Sequence, residues 1–222
     1  MKNFCYFFVV CCCAICIAEP TDDIRQLLFS IRSGVNVSPL QEWLHGRSQY
    51  YGSRLDAIPD VYRSSMLDDF NSRLKLFKSL NLIVVAMLKS EQIVASATFN
   101  ISDRRNQVDL VNWFAPDRLV DTKPFWIGKG PFIDFGVEGL QWPSDKQHRG
   151  DWATITRTFY IHKGHRTCQT DSGLMGVIEE GKEYCDWSDK APGQPPIFYY
   201  AKNDASYESS LDFADQLIVY LK

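Results

Sequence analysis

Cysteine is scarce in this sequence once its first sixteen residues are set aside. Five of the seven cysteines stand in that stretch, and only Cys168 and Cys185 lie beyond it. Small secreted scaffolds held together by disulfides are far denser in cysteine than this. The fold must therefore depend on an apolar core, and 222 residues are ample to bury one.

Long apolar runs and blocks of positive charge are also missing after residue 18. The longest apolar run there covers residues 82–88, far short of the ~20 residues that a membrane-spanning helix needs. The basic residues are scattered and the formal net charge is −3, which argues against a nucleic-acid partner. We therefore predict neither a membrane span nor nucleic-acid binding.

The common catalytic and phosphate-binding motifs are absent too. The chain has no Gly-x-Ser-x-Gly elbow, no His-Glu-x-x-His helix, no phosphate-binding glycine loop and no Cys-x-x-Cys pair. Asp171-Ser172-Gly173 has the composition of a serine-nucleophile turn, but no motif identifies the base that it would need. We predict no catalytic residue and no cofactor. A hydrolase with a convergent site stays an alternative, because such sites leave no spacing signature.

The N-terminus has the parts of a secretory signal. Lys2 supplies a positive charge, residues 4–17 are apolar, and small residues precede position 19. We predict that residues 1–18 are a signal peptide and that the mature chain is secreted and extracellular. In that oxidising compartment Cys168 and Cys185 should form a disulfide, worth about 3 kcal/mol by loop-closure arithmetic.

Two Asn-x-Ser sequons accompany this signal. Asn100-Ile-Ser102 is a good acceptor for an N-linked glycan, whereas Asn36-Val-Ser38 is followed by Pro39 and is a poorer one. The sequence predicts glycosylation at Asn100 and, less favourably, at Asn36.

Residues 19–80 have a helical pattern. Thr21 can cap a first helix that ends at Gly34, and Ser38-Pro39-Leu40-Gln41 is typical of the start of a second one. The first helix would place Ile24, Leu27, Leu28 and Ile31 on one face, and a third would align Leu67, Phe70, Leu74 and Phe77.

Residues 81–222 have a strand pattern instead. Residues 82–88 and 93–101 are rich in β-branched side chains and predict a hairpin. Further strand candidates cover residues 108–113, 154–162, 174–179, 197–201 and 216–221. The predicted fold class is α+β, with an N-terminal helical segment packed on a C-terminal antiparallel β-sandwich. Residues 19–222 could equally form one domain.

Two groups of residues invite a metal hypothesis. His162 and His165 could converge with Asp171 or Glu179, but zinc prefers three or four close ligands. A polar strand end, with His162 beside Thr158 and Tyr160, is the simpler interpretation, and we predict no metal. Calcium held by loop carboxylates is weaker still; its candidates are Asp204, Glu208 and Asp212.

The triplet Arg149-Gly150-Asp151 resembles the integrin-recognition motif of adhesive extracellular proteins. A turn at the glycine would hold the guanidinium and the carboxylate apart, and that carboxylate could complete a metal held by the receptor. The preceding residues 143–147 have the composition of an exposed loop. Integrin-type adhesion is therefore one alternative function.

Tryptophans offer another kind of site, since flat rings stack on the apolar faces of sugars. Trp142 and Trp187 stand beside turn residues, so we predict that they are exposed ligand-binding aromatics. Trp113 and Trp126 stand among apolar residues, and we predict that they are buried.

The C-terminal third is similar to secreted, functionally uncharacterised invertebrate extracellular proteins, including some from the coral skeletal organic matrix. The resemblance is carried by Arg157-Thr-Phe-Tyr-Ile-His162, by Cys168 through Gly173-Leu-Met-Gly-Val-Ile178, by Cys185-Asp-Trp187, by Pro196-Ile-Phe-Tyr-Tyr200 and by the closing strand at Ala214-Asp215. It implies an extracellular matrix setting connected with biomineralization and transfers no catalytic residue. Because no aspartate run is present, direct binding to mineral is not expected. The predicted function is non-enzymatic binding of a glycan or matrix component.

Overall fold

A computed structural model describes residues 26–47, 59–69, 81–102, 110, 112–127, 156–164, 172–180 and 190–222. These residues form two antiparallel sheets with few helices. The strands are β1 (Gln26–Arg32), β2 (Val61–Arg63), β3 (Leu82–Lys89), β4 (Gln92–Asn100), β5 (Leu119–Lys123), β6 (Thr156–Gly164), β7 (Ser172–Glu180), β8 (Ile197–Ala201), β9 (Leu211–Ala214) and β10 (Gln216–Leu221). The helices are α1 (Pro39–His45) and α2 (Tyr207–Ser210). Short 3-10 helices cover Ser65–Asp69, Asn112–Phe114 and Pro116–Arg118. Within these ranges no helix has the length and apolarity to cross a membrane.

The strands are divided between a large and a small sheet. The large sheet has the order β2-β1-β10-β3-β4-β5, and the small sheet has the order β6-β7-β8-β9. Asp215 alone separates β9 from β10, so the chain passes from one sheet to the other within a single residue. Its backbone N–H donates to the Leu88 carbonyl at 2.8 Å, which fixes this crossing against β3.

The main core lies between the two sheets. Phe29, Val85 and Val219 from the large sheet share one buried cluster with Val177 and Phe198 from the small sheet. Each is at most 2% exposed, and burying one such side chain stabilises a fold by roughly 1.5–3 kcal/mol. Helix α1 belongs to this core, because Trp43 contacts the rings of Phe29, Trp113, Phe114 and Phe159 at centroid distances of 5.6, 6.1, 5.7 and 6.4 Å.

Helix α1 confirms the second predicted helix and its cap. The Ser38 Oγ accepts a hydrogen bond from the Gln41 N–H at 3.1 Å, and Pro39 occupies the first turn. Glu179 of β7 accepts from the Ser38 hydroxyl at 2.5 Å and from the Leu40 N–H at 2.8 Å. A carboxylate therefore lies at the N-terminus of the helix, where the helix dipole favours negative charge.

The first predicted helix is wrong for its described part. Residues 26–32 form strand β1, which lies between β2 and β10 inside the large sheet. Leu28, Phe29, Ser30 and Ile31 are all fully buried, so β1 is covered on both faces. A strand that is buried on both faces shows no apolar–polar alternation, so periodicity alone does not distinguish it from a helix. Residues on both sides of position 80 therefore build the same sheet.

Most of the later strand predictions agree with the structure. The hairpin of β3 and β4 is confirmed, as are β6, β7, β8 and β10. The predicted strand 108–113 is wrong at its end, because Asn112–Phe114 is a 3-10 helix. Residues 70–80 of the third predicted helix, and Thr21 and Ile24 of the first, lie outside the described residues. The short strands β2, β5 and β9 were not predicted.

Candidate functional site

The loop after β5 presents a tryptophan to solvent. Trp126 is 51% exposed, so the prediction that it is buried is wrong. Among the described residues, the other exposed large apolar side chains are Val37, Ile93 and Val120. A half-exposed indole leaves a large flat apolar face in water, which tryptophan usually avoids.

The neighbours of Trp126 explain why it points outward. Phe125 packs against the core between the sheets and also against a cluster on the outer face of the small sheet. Ile127 is only 1% exposed and belongs to the main core. Because Ile127 is buried and Phe125 is partly buried against both clusters, the intervening indole is directed to the surface.

The hydroxyl of Thr122 holds this loop in place. Thr122 Oγ1 donates to the Phe125 carbonyl at 2.7 Å and accepts from the Ile127 N–H at 2.8 Å. Thr122 is itself 4% exposed and pairs with Ala97 of β4. One buried hydroxyl therefore closes the loop from both sides and connects it to the sheet. A loop ordered in this way loses little conformational entropy when a ligand binds.

Charged side chains stand next to this tryptophan along the chain. Asp121 and Lys123 are exposed on β5, and their positions two residues apart place them on one face of the strand. They pair with Thr98 and Ser96 of β4, and β5 stands last in the strand order of the large sheet. We name Trp126 together with Asp121 and Lys123 the Trp126 surface. It combines an apolar ring with a hydrogen-bond acceptor and a donor.

A second aromatic group lies on the outer face of the small sheet, and three of its four rings are buried. His162 is 1% exposed and stacks on Tyr160, with ring centroids 3.5 Å apart and planes inclined by 30°. Its Nε2 lies 3.2 Å from the Tyr199 hydroxyl, and its ring lies 4.9 Å from that of Tyr207. Both of these tyrosines are fully buried. We name these four residues the His162 cluster.

Two glycines of β7 make room for the His162 cluster. Gly173 pairs with His162 and Gly176 pairs with Tyr199. A Cβ atom at Gly176 would overlap the Tyr199 hydroxyl, and one at Gly173 would overlap the Tyr207 hydroxyl. The phenol rings therefore occupy the space that side chains on β7 would need.

The metal hypotheses receive no support from these residues. Glu179, the possible partner of His162, holds the N-terminus of α1. It lies six residues along β7 from Gly173, the partner of His162, and a strand of that length spans roughly 20 Å. Thr158 has no described side chain, and His165 and Asp171 lie outside the described residues. Within the described ranges, no three His, Cys, Asp or Glu side chains are grouped to hold a metal.

Two of the three carboxylates of the calcium hypothesis are paired with lysines. Asp204 lies 2.5 Å from Lys163. Asp212 lies 2.7 Å from Lys89 and 3.1 Å from Lys202. Lysine ammonium groups therefore already balance these charges. The third, Glu208, is exposed in the first turn of α2.

Asp212 is also the centre of a polar junction with Tyr200. The Tyr200 hydroxyl donates to Asp212 at 3.2 Å. Burial, followed by the negative charge of Asp212, raises the pKa of Tyr200 to about 12. Burial alone would raise the pKa of Asp212, but hydrogen bonds from Lys89, from the Phe213 N–H and from Lys202 outweigh it and hold that pKa well below its usual range. The junction links β3 to β8 and β9, and hence one sheet to the other.

The remaining predicted site residues cannot be compared with the structure. The signal peptide 1–18, the triplet Arg149-Gly150-Asp151, Trp142, Trp187, Cys168 and Cys185 all lie outside the described residues. They stay predictions of the sequence. Asn36 and Asn100 are described, and both are exposed.

The sequence contained a partial signal for the Trp126 surface. Phe125-Trp126-Ile127 is an apolar triplet just after a strand, and in extended chain the middle residue faces away from its two neighbours. The sequence did not show which face of this extended segment packs against the core.

No family model, no curated protein and no solved structure matches this chain. The geometry of the site and the sequence features therefore carry the functional proposal.

Proposed function

We propose that this chain is a secreted, non-enzymatic protein that binds a glycan, free or carried by a matrix component, through the Trp126 surface. The observation that carries the proposal is the half-exposed indole of Trp126 on a loop that the core and Thr122 hold in place. An exposed indole on a loop whose backbone is hydrogen-bonded in place is available as a stacking face.

The chemistry of a sugar ring matches this arrangement. One face of a pyranose carries a patch of C–H groups, which stack on an aromatic ring, while its hydroxyl groups need hydrogen-bond partners. The carboxylate of Asp121 accepts hydrogen bonds and the ammonium of Lys123 donates them. Both residues are exposed within five positions of the indole. Since the loop is ordered before binding, little of the interaction energy is spent on ordering it.

The setting of the proposal comes from the sequence. The N-terminal signal, the two sequons and the similarity of the C-terminal third to coral-matrix proteins all favour an extracellular location, where glycans and matrix polymers are abundant. These features support the compartment and the partner class. The Trp126 surface supports the mode of binding.

The test is binding of the purified secreted protein to a glycan array and to immobilised matrix polysaccharides. We expect Trp126→Ala to weaken binding at least tenfold, because it removes the stacking face. Val37→Ala is the matched control, since Val37 is also an exposed apolar residue, and it should leave binding unchanged. Circular dichroism should show both variants folded.

Two results would contradict the proposal. Binding that persists undiminished in Trp126→Ala would exclude the Trp126 surface. If Trp142→Ala or Trp187→Ala abolished binding while Trp126→Ala did not, the site would lie at the tryptophans that the sequence favoured.

A further inference from the structure

The two sequons lie in different structural contexts. Asn100 is the last residue of β4 and is exposed, as is Ser102. Ile101 between them is 3% exposed, and its N–H donates to the Asn81 carbonyl at 2.8 Å. The middle residue is thus anchored in the core, while the two residues that define the sequon face the solvent.

A local turn joins those two residues. The Oδ1 atom of Asn100 accepts a hydrogen bond from the Ser102 N–H at 2.9 Å, which closes an Asx turn. The atom used in this bond is the amide oxygen, and a glycan would be attached to the amide nitrogen. A sugar at Asn100 is therefore compatible with the turn and with the strand before it.

The sequon at Asn36 belongs to the start of a helix. Its serine, Ser38, is the N-cap of α1, with its hydroxyl bonded to Gln41 and to the buried Glu179. Pro39 follows at the first helical position, where proline is favoured for reasons of backbone geometry. Helix capping is a sufficient reason for Asn36-Val-Ser38-Pro39, and a proline directly after the serine makes a poor acceptor.

We propose that Asn100 carries an N-linked glycan in the secreted protein and that Asn36 does not. In the transfer, the Asn100 amide nitrogen forms a bond to the anomeric carbon of a lipid-pyrophosphate-linked oligosaccharide. The bond from that carbon to the pyrophosphate oxygen breaks, and the nitrogen loses one proton. The donor is the co-reactant, and the lipid pyrophosphate is the leaving group.

Asn100 ends β4, and the loop that carries Trp126 follows Lys123, which pairs with Ser96 in the middle of β4. Ser96 stands four residues before Asn100, which corresponds to roughly 13 Å of strand. Asp121 of the Trp126 surface pairs with Thr98 and is nearer to Asn100. The transfer needs only the sequon residues Asn100 and Ser102, so the modification does not depend on the proposed binding function.

The test expresses the full chain in a eukaryotic secretory host. N-glycans are released from the secreted protein with a glycosidase that converts the modified asparagine to aspartate in ¹⁸O-labelled water, and peptides are then mapped by mass spectrometry. We expect ¹⁸O-labelled aspartate at position 100, unmodified Asn36, and a gel mobility shift of one glycan. Because the wild-type protein gives this result directly, the test does not depend on a variant folding.

Variants then identify the acceptor. Asn100→Gln and Ser102→Ala should both abolish the shift, Ser102→Thr should retain it because the hydroxyl is kept, and Asn36→Gln should not change it. An unmodified asparagine at position 100 in the secreted chain would overturn the proposal, and so would a glycan on Asn36. Trp126→Ala should leave occupancy at Asn100 unchanged, which keeps this result separate from any failure of glycan binding.

Discussion

The Trp126 surface and the His162 cluster are both built from aromatic rings with polar groups, yet one is open and the other is closed. Trp126 is 51% exposed, whereas Tyr199 and Tyr207 are fully buried and His162 is 1% exposed. The difference comes from their neighbours. Tyr199 and Tyr207 lie over glycines of β7 that provide space for them, while Trp126 is flanked by two apolar residues that already occupy the core. Whether an aromatic side chain is exposed or buried therefore depends on the side chains next to it.

The largest expected loss of stability follows from a substitution in the His162 cluster. In Gly176→Ala the new methyl group would overlap the hydroxyl and ring of Tyr199, and Tyr199 is fully buried. Overpacking of this kind costs about 1–3 kcal/mol, and we expect the upper part of that range in urea denaturation. Tyr199→Phe, which keeps the ring and removes the hydroxyl that lies 3.2 Å from His162 Nε2, should cost about 1 kcal/mol. A loss below about 0.5 kcal/mol for Gly176→Ala would show that the cluster is not tightly packed.

The same comparison shows how far the sequence could predict the structure. The β-branched runs of β3 and β4 and the capped start of helix α1 were local signals that the structure confirms. β1 lacked such a signal, because it is buried on both faces without apolar–polar alternation and is not rich in β-branched residues.

The two aromatic groups differ in the same respect. The His162 cluster depends on which residue of β7 lies opposite which residue of β6 and β8. That register is tertiary information, which no short segment contains. Trp126 could be recognised as one of an apolar triplet, but its exposure follows from the burial of Phe125 and Ile127 in a core assembled from both sheets.

The second-largest expected effect tests whether the Thr122 hydroxyl keeps the loop of Trp126 in place. Thr122→Val keeps the shape of the side chain and removes its hydroxyl, so the buried Ile127 N–H loses its acceptor. Leaving a buried donor unpaired costs about 1–3 kcal/mol, and a looser loop should also weaken glycan binding several-fold. Ser30→Ala is the control, because it removes a buried hydroxyl that accepts a hydrogen bond from Gln216, on a strand that is distant from β5 in the order of the large sheet. If Thr122→Val bound glycan as tightly as the wild type, the Thr122 hydroxyl would not be needed to present Trp126.

The smallest effect tests the junction between the sheets. The folded-state pKa of Asp212 is lowered, so its stabilisation is present above its unfolded pKa, near 4, and is lost as the pH falls through the folded value. The folded-state pKa of Tyr200 is raised to about 12, so its contribution is complete below about pH 10 and is lost between about pH 10 and 12.

Asp212→Asn should remove the part of the folding stability that is lost at low pH. We expect a loss of about 1 kcal/mol at neutral pH, because the partners Lys89 and Lys202 are 40% and 59% exposed and water screens the pairs. Denaturation curves at pH 11, at pH 7 and along a descending series below pH 4 follow both losses. A destabilisation by Asp212→Asn that stays constant along the descending series would contradict the assignment to Asp212. Glycan binding at neutral pH should be unchanged, since the junction is separate from the Trp126 surface.

The most direct test of the central claim is an NMR titration of the protein with a glycan that binds it. The signal to follow is the indole N–H resonance of Trp126. Comparison of the wild type with Trp126→Phe assigns the resonance, and the buried indoles of Trp43 and Trp113 serve as internal controls. We predict that the Trp126 resonance shifts progressively and saturates with binding, while those of Trp43 and Trp113 stay in place. Saturated binding with an unmoved Trp126 resonance would contradict the account.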